Sequence, residues 1–380
     1  MNTLKIQHVK DCFEHGDHNL GMRRLTDCVM DTNDLNIQQS LLDLFDVYES
    51  SNAIDPNDLD RLIQKLNQYQ YTDKTISNSS LLEVSDLEKK YHSSQFKISP
   101  ISFALKYGEV VGLVGENGNG KTSLLRLLCK DLEPDAGTIK YAAEEKSKSL
   151  FDLRSRLVYI PQRVPRWYGS LMDNLHFTLS SYGITGKENL MRAELIIARL
   201  GLRPFKNHTW NSISSGYRTR FELAKSLLRK PELMLLDEPL SNLDIISQQT
   251  ILQDLKYMSE STSHPFGLVL SSQQLYEVEK ISDLVIFLRQ GEAQYQYKNQ
   301  ELKDDQELIF EMETKDSREI ITKAFEKNGI SQIQYNGGVY VIHFKSGTTG
   351  NEIFSSISEH NLNVNYLRNI TQSSRRFFIQ

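Results

Sequence analysis

The chain has 380 residues, room for two or three domains, and its 39% apolar content can build cores of ordinary size. A net charge of −5 excludes a global pull toward nucleic acid or anionic lipid, and three cysteines (Cys12, Cys28 and Cys129) exclude a disulfide framework. No apolar stretch approaches the roughly 18 residues that span a bilayer, and Met1 to Lys10 lacks a signal-peptide core, so a soluble chain made in the cytoplasm is expected.

Residues 1–80 carry 13 acids against 7 bases, so the acidity sits in a helical N-terminal module, placed at 1–76. Leu41, Leu42, Leu44, Phe45 and Tyr48, then Leu59, Leu62, Ile63 and Leu66, recur at three- and four-residue spacing. Asp55-Pro56 ahead of Asp58 marks a helix start, and Ser77-Asn78-Ser79-Ser80 reads as a linker.

From Leu81 short strands take over: Leu82 to Asp86, Phe96 to Phe103 and Val110 to Val114. The last runs into Gly115-Glu116-Asn117-Gly118-Asn119-Gly120-Lys121-Thr122-Ser123 and then a helical stretch from Leu124. This is the strand, glycine loop and helix of a P-loop, G-x-x-x-x-G-K-[ST]. Glycines let successive N–H groups turn inward on an anion, and the helix adds the positive end of its dipole. Lys121 reaches the β- and γ-phosphates of a nucleoside triphosphate, and the Thr122 hydroxyl holds Mg²⁺.

Apolar strands recur at Leu157–Ile160, Leu233–Leu236, Leu268–Leu270 and Leu284–Leu288 without alternation, which points to a parallel sheet covered on both faces. A mostly helical insertion lies between about Val164 and Arg229. The strand at Leu233 ends in Asp237-Glu238, a Walker B arrangement: Asp237 for the metal, Glu238 to polarise the attacking water. Trp167 and Tyr168 are read two ways, as core anchors of the insertion or as an exposed patch for a partner. Residues 307–371 read β-α-β-β-α-β, the order of a ferredoxin-like fold.

Together these residues resemble the ATP-binding cassette (ABC) family across residues 81–292. Ile213-Ser214-Ser215-Gly216-Tyr217-Arg218 is similar to the family's LSGGQ signature, Tyr159-Ile160-Pro161-Gln162 to its Q-loop, and Ser241-Asn242-Leu243-Asp244 to its D-loop. Tyr91 stands where the family places an aromatic that stacks on adenine. The resemblance implies ATP and Mg²⁺ as cofactors and a head-to-tail homo- or heterodimer. Each ATP would then lie between one P-loop and the other subunit's Ser214, Ser215 and Gly216. Gln162 would touch Mg²⁺ or water, and Asp244 would border the site.

Three positions depart from the family pattern. Ser215 and Tyr217 replace a Gly and the Gln of the signature, and Gln273 stands at the switch histidine. A neutral amide gives up a charge-assisted hydrogen bond, so slower turnover is expected.

The expected fold class is α/β: an ABC-type P-loop NTPase core at 81–300 with an inserted helical subdomain. A small all-α region precedes it, and a ferredoxin-like α+β domain at 307–380 follows. The resemblance implies the ATPase subunit of a membrane transporter, of ABC-2 exporter type, peripheral on the cytoplasmic face beside separate transmembrane subunits. The alternatives are a soluble regulatory ABC ATPase acting on a protein partner and a weakly hydrolysing clamp. No nucleic-acid partner is expected, since Arg375-Arg376 stands alone.

Overall fold

The structure is a computed structural model and describes residues 2–51, 53–71, 80–91, 96–144, 147–241, 243–298 and 307–371. The linker at 77–79, Asn242 of the D-loop-like stretch and the tail with Arg375-Arg376 lie outside the described residues. Two compact units emerge: Met1–Gln273 with Ile286–Gln294, and Gln274–Val285 with Tyr295–Gln380.

The first unit begins with α1 (Asn2–Glu14), α2 (His18–Met30), α3 (Leu35–Ser51) and α4 (Pro56–Gln68). Pro56 presets the first turn of α4, and the Asp55 carboxylate accepts from the Asn57 N–H at 2.8 Å, so this start follows from local chemistry. There follow β1 (Ser80–Lys90), β2 (Lys97–Lys106), β3 (Val110–Val114), α5 (Lys121–Leu128), β4 (Ala136–Tyr141), α6 (Leu150–Arg156) and β5 (Leu157–Ile160). The helical insertion holds α7 (Leu171–Ser181), α8 (Gly186–Arg199) and α9 (Ser215–Leu227). The chain returns to the sheet with β6 (Leu233–Leu236), α10 (Ile245–Ser259) and β7 (Gly267–Ser272), passes through α11 (Leu275–Glu279), and ends the sheet with β8 (Leu284–Arg289) and β9 (Glu292–Lys298).

A six-stranded sheet runs β5-β6-β7-β3-β8-β9, with β5, β6, β7 and β3 paired in parallel. Every residue of β3, β6 and β7 is buried, which is why Val110–Val114, Leu233–Leu236 and Leu268–Leu270 read as runs without alternation. A smaller antiparallel sheet, β2-β1-β4, lies beside it in the order of pairing. Strands β4 and β9 were not anticipated from the sequence; both are mostly polar, with Lys140 and Gln294 among their residues.

The four N-terminal helices share one core with the helical insertion. Leu25, Val29, Leu41, Leu62 and Leu66 close on Leu195 and Ala198 of α8. A buried ion cluster joins the same elements. Arg199 of α8, with no solvent exposure, donates from Nε to Asp27 of α2 at 2.5 Å and lies 3.0 Å from Asp254 of α10. Arg23 and Arg24 of α2 reach the same Asp254 at 3.0 and 3.2 Å. Burial is the largest single influence and would raise the Asp254 pKa, but Arg199, Arg23 and Arg24 together outweigh it and hold the carboxyl below its ordinary value. Asp31 gathers the hydroxyls of Ser261, Thr262 and Ser263 at 2.6 to 2.8 Å. The module is therefore fixed to both the insertion and the α10–β7 connection.

The second unit contains β10 (Ile309–Thr314), α12 (Arg318–Ala324), β11 (Ile330–Asn336), β12 (Val339–Phe344), α13 (Gly350–Glu359) and β13 (Val364–Asn369). Its antiparallel sheet runs β11-β12-β10-β13, and the β-α-β-β-α-β order is that of the ferredoxin-like fold. Met312, Ile321, Phe325, Phe344 and Ile353 form its core. In the same unit the Tyr276 ring of α11 lies between Lys280, 3.9 Å away, and the Arg368 guanidinium of β13, 4.1 Å away.

Candidate nucleotide-binding site

The P-loop leaves β3 and curls into α5. Gly118 and Gly120 sit at φ +82° and +98°, conformations that cost a side chain dearly. A Cβ at Gly115 would come within 2.3 Å of the Leu288 carbonyl, so this position admits only glycine without movement of β8. The Asn119 side chain accepts from the Gln290 N–H at 2.8 Å and pins the loop to the turn after β8.

Lys121 is 5% exposed and turned back on the loop. Its Nζ donates to the Gly115 and Glu116 carbonyls at 2.6 and 3.1 Å and pairs with Glu238 Oε1 at 3.1 Å. Glu238 follows β6 with φ +49°, a left-handed conformation that a residue with a Cβ adopts at a cost. Its N–H donates to the Ser271 hydroxyl at 2.9 Å.

Asp237 is the hub. Its carboxylate accepts from Thr122 Oγ1 at 2.8 Å, Ser271 Oγ at 2.7 Å and the Tyr159 hydroxyl at 3.3 Å. Burial next to Asp237 pushes the Tyr159 phenol well above its ordinary pKa, which keeps it a neutral donor. Thr122 and Asp237 supply the hard oxygens that Mg²⁺ prefers. Their 2.8 Å spacing is close to that of adjacent ligands on an octahedral ion with metal–oxygen distances of about 2.1 Å. The donor set fits the ion.

A cavity of about 300 Å³ is lined by Tyr91, Phe96, Asn117, Gly118, Gly120, Lys121, Thr122, Ser123, Gln162 and Glu238. The sequence reading had gathered all of these except Phe96. The Phe96 ring lies 6.1 Å from Tyr91 and 3.0 Å from where a Gly120 Cβ would stand, forming one wall. Ser271 and Tyr159, which orient Asp237, were also missed as site residues. Gln273, exposed, donates to the Asn117 side chain at 3.0 Å and so stands beside the P-loop.

The remaining expected residues do not line this cavity. Gly115, Glu116 and Asn119 shape the loop from behind. Ser214 is exposed at the N-terminus of α9, where its hydroxyl accepts from the Tyr217 N–H at 3.4 Å, with Ser215 and Gly216 in the first turn. Asp244 caps α10, and hydrogen bonds from the Ser247 hydroxyl and from the Ser247 N–H at 2.9 Å hold its pKa below the ordinary value. The two readings of Trp167 and Tyr168 divide between the residues: Trp167 is buried against Trp210 and Phe221, whereas Tyr168 is 79% exposed.

Comparison with known proteins agrees with this geometry. Residues 98–241 match the model of the ABC transporter family. The chain is 28% identical to the uncharacterized ABC transporter ATP-binding protein YxlF of Bacillus subtilis, over 79% of this chain and 99% of that one. It is 27% identical to the phosphonates import ATP-binding protein PhnC of Treponema denticola, over 56% and 87%. The dimeric ATP-binding cassette MJ0796, bound to ADP and Pi in its solved structure, superposes with a TM-score of 0.51 at 21% identity, covering 58% of this chain and all of that one. That likeness speaks to the fold. Cavity, motifs and matches agree: residues 98–241 carry the domain of the ABC transporter family, and the chain is similar to ATP-binding proteins of such transporters.

Proposed function

We propose that this chain hydrolyses ATP to drive a membrane transporter, and that two nucleotide domains close around two ATP molecules to do so. The observation that carries the reading is the convergence of Lys121, Thr122, Gln162 and Glu238 on one cavity walled by Tyr91. An incoming triphosphate offers Lys121 anionic oxygens in place of the Gly115 and Glu116 carbonyls, and charge-assisted bonds are roughly twice as strong as neutral ones. The exchange loosens the Lys121–Glu238 pair. Glu238 is then available to accept a proton from water aimed at the γ-phosphate. Thr122 and Asp237 would hold Mg²⁺, which would neutralise charge on the phosphates. Tyr91 stacks on the base.

The exposed Ser214 and the N-terminus of α9 present a hydroxyl and the positive end of a helix dipole. A second subunit's triphosphate suits them by the same dipole and N–H physics that operate at the P-loop. No helix among the described residues is long and apolar enough to cross a membrane, so transport on this reading needs separate transmembrane subunits. Export as the direction rests on the resemblance to the ABC-2 exporter type alone, and Gln273 favours slow turnover. The test is size-exclusion chromatography of the Glu238→Gln chain with ATP and Mg²⁺. A nucleotide-dependent dimer is expected, and adding Ser214→Arg abolishes it. A Glu238→Gln chain that stays monomeric at saturating ATP rejects a sandwich of two copies of this chain.

A further inference from the structure

A second cavity, of about 390 Å³, lies where the N-terminal module, the helical insertion and α10 meet. Four arginines line it, Arg23, Arg199, Arg203 and Arg220, against two acids, Glu49 and Asp254. The buried cluster behind it is also unbalanced, with three guanidiniums (Arg23, Arg24, Arg199) around two carboxylates (Asp27, Asp254). Arg199 is fully buried, yet its Nη2 has no hydrogen-bond partner among the described residues. Arg203 bonds Asp46 through Nη2, but its buried Nη1 has no partner among the described residues. Unsatisfied buried donors are costly, and guanidinium donors especially so. The rest of the wall is apolar, with Met22, Phe45, Leu223 and Ile251.

We propose that this cavity binds a small organic anion, with its carboxylate or comparable acid group on Arg199 and Arg203 and its hydrocarbon body against Met22, Phe45, Leu223 and Ile251. An inorganic anion would satisfy the guanidiniums but leave the apolar wall wet. A neutral apolar molecule would fill the wall but leave the donors unsatisfied and now further from water. The volume suits a ligand of metabolite size. Because the walls come from the N-terminal module, the helical insertion and α10, the ligand ties the N-terminal module to α9, which Ser214 caps. It is a regulatory site separate from the nucleotide cavity, and it stands whether or not two chains close around ATP.

Isothermal titration of the full chain with octanoate tests it, using inorganic phosphate and 1-octanol as head-only and body-only probes. One octanoate per chain is expected, with phosphate and octanol each at least tenfold weaker. Arg203→Gln should weaken octanoate about tenfold and leave octanol unchanged, and Ile251→Trp, which fills the cavity, should abolish binding of octanoate. Circular dichroism verifies the fold of each variant, and either folded variant decides alone. Phosphate or octanol binding as tightly as octanoate, or octanoate affinity unchanged in the folded variant, overturns the proposal.

Discussion

The nucleotide cavity and the joint between the N-terminal module and α8 are both built on buried charge, yet they hold it in opposite ways. Lys121 is satisfied by two loop carbonyls and one carboxylate, all partners that phosphate oxygens outbid. Asp254 is held by Arg199, Arg23 and Arg24, with Arg24 stacked 3.9 Å over the Tyr257 ring, and no ligand that enters the nucleotide cavity competes for it. The first arrangement stores charge for exchange; the second fixes the register of three helices. Burial alone does not distinguish them. Replaceability of the partners does.

The sharpest way to break the comparison is to remove one charge from each cluster. Glu238→Gln should lower ATP turnover by about 10²–10⁴, the range for loss of a general base, and leave the melting temperature within a few degrees of the parent. Phosphate release under saturating ATP and calorimetry measure the two. Asp254→Asn should do the reverse. It leaves three guanidiniums around Asp27 alone, and stranding a buried charge costs about 3–5 kcal/mol, read from urea unfolding. Because the Asp254 pKa is lower folded than unfolded, its contribution is complete at neutral pH and falls away as pH drops through that lowered value. Parent and Asn variant should therefore converge in stability under acid. A variant as stable as the parent at pH 7 would place the joint among decorative ion pairs.

Smaller changes sharpen the contrast. Gln273→His offers a cationic donor at the γ-phosphate and should raise turnover about tenfold to a hundredfold, equivalent to roughly 1–3 kcal/mol. Unchanged turnover assigns Gln273 to holding Asn117 and nothing more. Thr349→Ala removes the cap of α13 in the second unit, far in sequence from either cluster. It should cost about 1 kcal/mol of stability in that unit, seen by hydrogen exchange, with turnover unaffected.

The legible parts of the sequence were those where a few adjacent residues decide the geometry. Asp55-Pro56 announces α4, the apolar runs within β3, β6 and β7 announce a sheet covered on both faces, and Gly115 to Ser123 announces the phosphate loop. The β-α-β-β-α-β order of the second unit was readable because Asn336-Gly337-Gly338 marks its hairpin. What escaped was long-range. Strand β4 has an almost wholly exposed pattern, so hydrophobic alternation cannot reveal it. Ser271 and Tyr159 look like ordinary strand residues until parallel pairing sets β6 between β5 and β7, which brings both to Asp237. The docking of α2 on α8 and α10 rests on Arg199 meeting Asp27 across 172 positions, and no local pattern encodes such a meeting.

The backbone at Glu238 has a consequence for anyone altering this protein. Glycine or asparagine would occupy φ +49° more comfortably, and Lys121 would keep its two carbonyl partners, so the folded chain should become more stable for the exchange, at the sacrifice of the carboxylate. A library sorted only for heat resistance would thus enrich inactive molecules at this position. Durability and turnover have to be selected together.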